Sequence, residues 1–157
     1  MVWTAHFVSR SNECSKKINW LIELAERTDL NSVVIDIKDF SGYVAYDSNV
    51  PDAEKYKTER FDIKDVDSLI KRLHKNNIYV IARMTVFQDL VLVRARPDWA
   101  VKNKYTGRPW ADNKGLSWID PACRECWGYY AAIAKDALGR GFDEINFDYI
   151  RFPSDGN

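Results

Sequence analysis

The sequence predicts an α/β fold with parallel strands, of the (β/α)₈ TIM-barrel type but with about four βα units, its N-terminal half. Three observations lead there. Strand-like runs alternate with amphipathic helical segments, the two long connections both follow strands, and polar residues gather on one face of those strands. A complete barrel needs roughly 250 residues, and this chain has 157. The expectation is a single domain over residues 1–157 with the remainder of the barrel absent.

The strand-like runs are residues 2–7, 33–38, 78–85 and 144–152. Between the first two, Ile18, Leu21, Ile22 and Ala25 recur at helical spacing. Between the second and third, Ile63, Val66, Leu69, Ile70 and Leu73 do the same, with Asp62 as the expected N-cap. Asp120-Pro121 reads as the start of a third helix through Trp127, Tyr130, Ala131 and Ala134, which closes near Gly139 and Gly141. Connections at the amino ends of the strands are short. Those at the carboxyl ends, residues 39–60 and 86–119, are long enough to carry function. Barrels place their ligands at that end.

Composition narrows the function classes. The 23 basic and 23 acidic residues balance, so no net field favours nucleic acid or an anionic membrane. No run reaches the ~18 apolar residues of a membrane span. The three cysteines, Cys14, Cys123 and Cys126, are too few and too unevenly spaced for a disulfide framework. The CxxC of Cys123 and Cys126 lacks the second pair a zinc site needs, and reads as two small helical residues. No phosphate-cradling glycine motif is present, and no cofactor or metal is expected. Asp39, Asp89 and Asp112 lie in the long loops at spacings that match no cation site, and read as solvated loop carboxylates.

Alternation along the strands separates an apolar set from a polar one. Val33, Ile35 and Ile37 oppose Asp36 and Lys38. Val80, Ala82 and Met84 oppose Arg83 and Thr85. Ile145, Phe147 and Tyr149 oppose Glu144, Asn146 and Asp148, and Thr4 and His6 share a parity on the first strand. The apolar set suits a helix layer, and the polar set suits the interior and mouth of a barrel. A doubly wound sheet, apolar on both faces, would seldom hold such charges. The competing reading is a buried salt-bridge network that only fixes the interior. It stands level with function for Asp36 and gives way at Asp148, which sits at the carboxyl end of its strand.

The run Phe147-Asp148-Tyr149-Ile150-Arg151-Phe152-Pro153-Ser154-Asp155-Gly156 resembles the fourth-strand signature of a bacterial family of glycosyl hydrolase domains, DUF4015. The likeness extends through Thr4-Ala5-His6, residues 33–39 with Ser41-Gly42-Tyr43, Pro97-Asp98-Trp99-Ala100-Val101-Lys102-Asn103, and Trp118-Ile119-Asp120-Pro121. It implies a TIM-barrel glycosidase in which Asp148 matches the strand-four carboxylate that serves as nucleophile. The second carboxyl group would lie on a later strand, so the isolated chain is expected to be a poor enzyme. Arg83 would hold Asp148 ionised, while Asp36, Lys38 and His6 bind sugar hydroxyls. Tyr43, Trp99, Trp110 and Trp118 would offer flat faces to sugar rings, or else pack their loops onto the barrel. The implied partner is a polysaccharide or oligosaccharide, with exposed sheet edges that invite homo-oligomers and an exported or envelope-associated parent protein. Two other readings stay open: a carbohydrate-binding barrel without catalysis, and a doubly wound domain for a small ligand.

Overall fold

The computed structural model describes residues 2–5 and 12–154, with side chains from residue 16 onward. Strands β1 (Val2–Ala5), β2 (Ser32–Lys38), β3 (Tyr79–Thr85) and β4 (Glu144–Asp148) form one parallel sheet in the order β1-β2-β3-β4. Each new strand is added on the same side of its predecessor. A doubly wound sheet reverses direction at a switch point, so this order excludes that reading. It is the order of a barrel wall, with four of the eight strands.

Right-handed crossovers that always step the same way keep their helices on one face. That face is covered by α1 (Asn12–Arg27), α3 (Val66–Lys75) and α5 (Glu125–Arg140). The strand residues of the apolar parity, Val33, Ile35, Ile37, Val80, Ala82 and Met84, are all fully buried beneath them. From the helices come Ile18, Leu21, Ile70, Leu73, Ile133 and Ala137. No helix among the described residues is long and apolar enough to cross a membrane.

Two helix starts differ from expectation. The cap of α3 is Asp65, whose carboxylate accepts the Ser68 N–H at 2.9 Å, while Asp62 instead receives Arg60 Nε at 2.6 Å. Asp120 caps only a turn, accepting from Ala122 N–H at 2.9 Å, and α5 begins at Glu125. Its end is as expected: Gly141 takes φ 108° and returns its N–H to the last carbonyls. The long connections also hold short helices that carry no readable periodicity, α2 (Pro51–Tyr56) and α4 (Leu90–Ala95), and a 3₁₀ turn at Pro97–Trp99.

One irregularity redirects a charge. Asp36 pairs with Arg83, but the next register pair is Lys38 with Met84, so β2 carries one extra residue. A one-residue slip moves a side chain to the opposite face. Lys38 therefore follows Met84 towards the helix layer and leaves the face of Asp36, contrary to the parity expectation. It is fully buried there, 2.8 Å from Asp89 and donating to the Thr85 carbonyl at 2.8 Å, with its ammonium 5.3 Å from the Tyr130 ring. Asp89 also accepts from Leu92 N–H at 2.8 Å and Tyr130 O–H at 3.3 Å. Burial pushes the Asp89 carboxyl up, and Lys38 opposes it. Gly42, at φ 94°, lies so close that an added Cβ would stand 2.2 Å from Asp89 Oδ1. The two long connections are thus clamped together at one buried ion pair.

Breaking such a pair from one side leaves a buried charge without its counter-ion. Lys38→Met should lower stability by about 3–5 kcal/mol, read from urea denaturation. Adding Asp89→Asn should restore part of the loss. A Lys38→Met protein as stable as the parent would show that the pair contributes nothing to the clamp.

Candidate active site

On the other face of the sheet, Asp36, Arg83 and Asn146 sit at one level across β2, β3 and β4. Thr85 and Asp148 form the next level towards the carboxyl ends. Arg83, on the central strand of the three, reaches both ways. Its Nη1 donates to Asp36 Oδ1 at 2.8 Å and its Nε to Asp148 Oδ2 at 3.0 Å, with Nη2 bonded to the same Asp148 oxygen. The Asp36 side chain is only 6% exposed, whereas that of Asp148 is 38% exposed. Of the two carboxylates, Asp148 is the one a solute can reach.

Asp148 Oδ1 accepts the N–H of Tyr149 at 2.7 Å. Tyr149 adopts φ 54°, a left-handed conformation that a bulky residue seldom takes. That turn ends β4 and folds the backbone N–H back onto the carboxylate. Partial burial works to raise the Asp148 carboxyl, but the Arg83 and Tyr149 hydrogen bonds, with the charges of Arg83 and Arg151, bring it below its usual range. Burial likewise opposes the charge on Arg83, and the bonds to Asp148 and Asp36 outweigh it.

One residue beyond Asp148, Tyr149 lines a cleft of about 590 Å³ together with Phe40, Gln88, Asp112, Trp118 and Arg151. The rings of Trp118 and Tyr149 lie 6.0 Å apart. Trp118 is the sequence-predicted aromatic that reaches the cleft. Trp99 is a packing residue: it is buried between Arg96, at 3.7 Å over its ring, and the edge of Tyr56 at 6.0 Å. Trp110 is half-buried against the core, and Tyr43 lies under the Arg60 guanidinium at 5.1 Å. Lys38 is removed from the cleft by the bulge, and His6 lies outside the described residues. Phe40 and Gln88 escaped the sequence reading because they follow the strand ends, where alternation no longer assigns a face, while Arg151 fell within the expected strand 144–152 but lies past β4, which ends at Asp148. No group of three His, Cys, Asp or Glu among the described residues could hold a metal ion. Asp112 lines the cleft, and its Oδ1 accepts the backbone N–H groups of Lys114 and Leu116.

Sequential parallel strands, with an arginine-bridged carboxylate pair at one end, define a TIM-barrel wall with a charged mouth. The chain belongs to the family described as "Putative glycosyl hydrolase domain", which matches residues 5–157. A hypothetical protein from Ruminiclostridium thermocellum ATCC 27405 is similar at 40% identity and a TM-score of 0.90, over 97% of this chain and 78% of that one. The noncanonic maltogenic alpha-amylase AmyB from Thermotoga neapolitana matches at 21% identity and a TM-score of 0.61, over 93% of this chain and 38% of that one. The alpha-galactosidase TtGalA from Thermus thermophilus matches at 19% identity and a TM-score of 0.62, over 92% of this chain and 29% of that one. The likeness to these two enzymes is one of fold. Among curated proteins no sequence match was found.

The depressed Asp148 carboxyl ties the site to stability. A carboxylate whose folded pKa lies below its unfolded value, about 3.9, contributes stability above that value and loses it as pH falls through the folded one. Arg83→Met should therefore cost at least about 2 kcal/mol at pH 7, since it removes the bond to the buried Asp36 as well as those to the partly solvated Asp148. The difference from the parent protein should shrink as acid protonates Asp148. Urea denaturation at pH 7 and pH 3 checks both, and a difference independent of pH would contradict the assigned ion pair.

Proposed function

We propose that this domain serves the hydrolysis of O-glycosidic bonds in a polysaccharide or oligosaccharide, with Asp148 as the ionised carboxylate. The observation that carries the reading is the Arg83–Asp148 pair, doubly hydrogen-bonded, with Asp148 partly exposed at the strand carboxyl ends one residue before Tyr149, which lines a cleft. Such hydrolysis uses two carboxyl groups on either side of the scissile bond. One protonates the leaving oxygen. The other, which must be ionised, attacks the anomeric carbon or activates a water.

Asp148 fits the ionised role, because Arg83 and the Tyr149 N–H stabilise its charge before substrate arrives. Asp36, buried behind Arg83, is a positioning residue: it holds the guanidinium from the far side. Tyr149, half-buried in the cleft lining, offers an apolar surface to a sugar ring, and the buried Trp118 packs against it. The acid is the missing partner. Glu144 shares the parity of Asp148 but lies four residues lower on β4, about 13 Å by strand rise, which is too far to act on the same bond. We assign the acid to a strand of the barrel beyond these four. General acid assistance is typically worth roughly 10²–10⁴ in rate, so the 157-residue chain alone should turn over slowly.

Release of reducing ends from a polysaccharide panel tests this, using the chain and a longer protein that completes the barrel. The longer protein should hydrolyse at least one member, and Asp148→Asn should reduce its rate by about 10³-fold or more. Turnover that survives Asp148→Asn would remove the assignment. Sugar binding equal in both forms, with no turnover from either, would favour a carbohydrate-binding barrel. Fast turnover by the short chain, lost on Asp148→Asn, would keep Asp148 and show that the acid lies within these residues.

A further inference from the structure

The cleft that adjoins Asp148 through Tyr149 has more basic than acidic side chains in its described lining. Arg151 has no carboxylate within ion-pair distance among the described residues, and its one hydrogen bond there goes to the Phe152 carbonyl at 3.4 Å. Lys114 adds a second cation to the lining. Asp112 is the only carboxylate in the described lining, and one of its oxygens already takes two backbone N–H bonds at 2.8 Å each.

Arg151 is also held in place. Its guanidinium stands 5.3 Å from the Trp118 ring and 5.5 Å from the Tyr149 ring, contacts that steady a cation without neutralising it. A guanidinium presented this way keeps its fork of N–H donors for an oxyanion, which it binds with two parallel bonds. A neutral sugar has hydroxyls for the same donors but no charge to match the one basic group in excess of Asp112.

We propose that this cleft selects a sugar unit bearing an anionic substituent, a carboxylate or a sulfate, and that Arg151 is the residue that recognises it. The inference rests on the glycosidase reading for the identity of the ligand as a sugar. The substituent sits against Arg151 while the sugar ring lies in the cleft beside Tyr149, the residue that follows Asp148. Lys114 adds long-range attraction, which salt should weaken.

The test reads binding alone and so is separable from turnover. Asp148→Asn protein is titrated, by heteronuclear NMR, with three oligosaccharide pools built on galactose: neutral galacto-oligosaccharides, oligogalacturonates and sulfated galacto-oligosaccharides. At least one anionic pool should bind about tenfold or more tightly than the neutral one, and whichever binds best identifies the substituent. That preference should fade in high salt and vanish in Arg151→Gln, whose spectrum away from the cleft should stay that of the folded protein. Equal binding of neutral and anionic pools, a preference that persists in Arg151→Gln, or no binding of either anionic pool would overturn the proposal. Turnover of a neutral glycan without anionic binding would sink this inference and leave the hydrolytic reading standing. Anionic binding by a protein that hydrolyses nothing would do the reverse.

Discussion

Arg83 lies on β3 with a carboxylate on each neighbouring strand, and its guanidinium joins Asp36 on β2 to Asp148 on β4. Three strands of one sheet therefore share a single cation on the face away from the helices. Charges are expensive to hold near a protein interior unless each is matched. Here the match depends on strand order. Only a sheet in which β2, β3 and β4 are consecutive neighbours brings those three side chains together, and only parallel strands in this register put Arg83 between the two acids. Because Asp148 stands one level higher than Asp36, the network runs from a buried anchor to a solvent-accessible carboxylate.

A second cation works on the opposite face. Lys38, turned over by the bulge in β2, joins Asp89 and Tyr130 beneath the long connections. The two networks meet at the end of β3: Lys38 donates to the carbonyl of Thr85, and Thr85 pairs with Asp148. The clamp that fixes the long loops is thereby continuous with the backbone that carries the candidate catalytic carboxylate. The bulge lies where strand gives way to loop, a common place for a device that re-aims a side chain.

Much of this was legible in the chain itself. Helical periodicity located α1, α3 and α5, and alternation put Arg83 and Asp148 on one face, where they meet. What escaped depended on partners that no single segment encodes. The face of Lys38 is set by the register of β2 against β3, which its own alternation cannot reveal. Trp99 and Trp118 look alike as tryptophans in one polar loop, yet Arg96 and Tyr56 enclose the first while the second turns towards Tyr149. Helices α2 and α4 are six residues each, too short for a periodic signal. Gln88 and Arg151 lie just beyond strand ends, where side-chain direction follows the turn.

Arg83 holds Asp148 as an ionised carboxylate at the mouth of the barrel wall. A ¹³C NMR titration of the Asp148 side-chain carboxyl tests it most directly, in the parent protein and with Arg83 replaced by glutamine. The midpoint should lie below about 3.9, the ordinary aspartate value, and move upward when Arg83 is lost. A midpoint at or above the ordinary value in the parent protein, unmoved by the substitution, would contradict it.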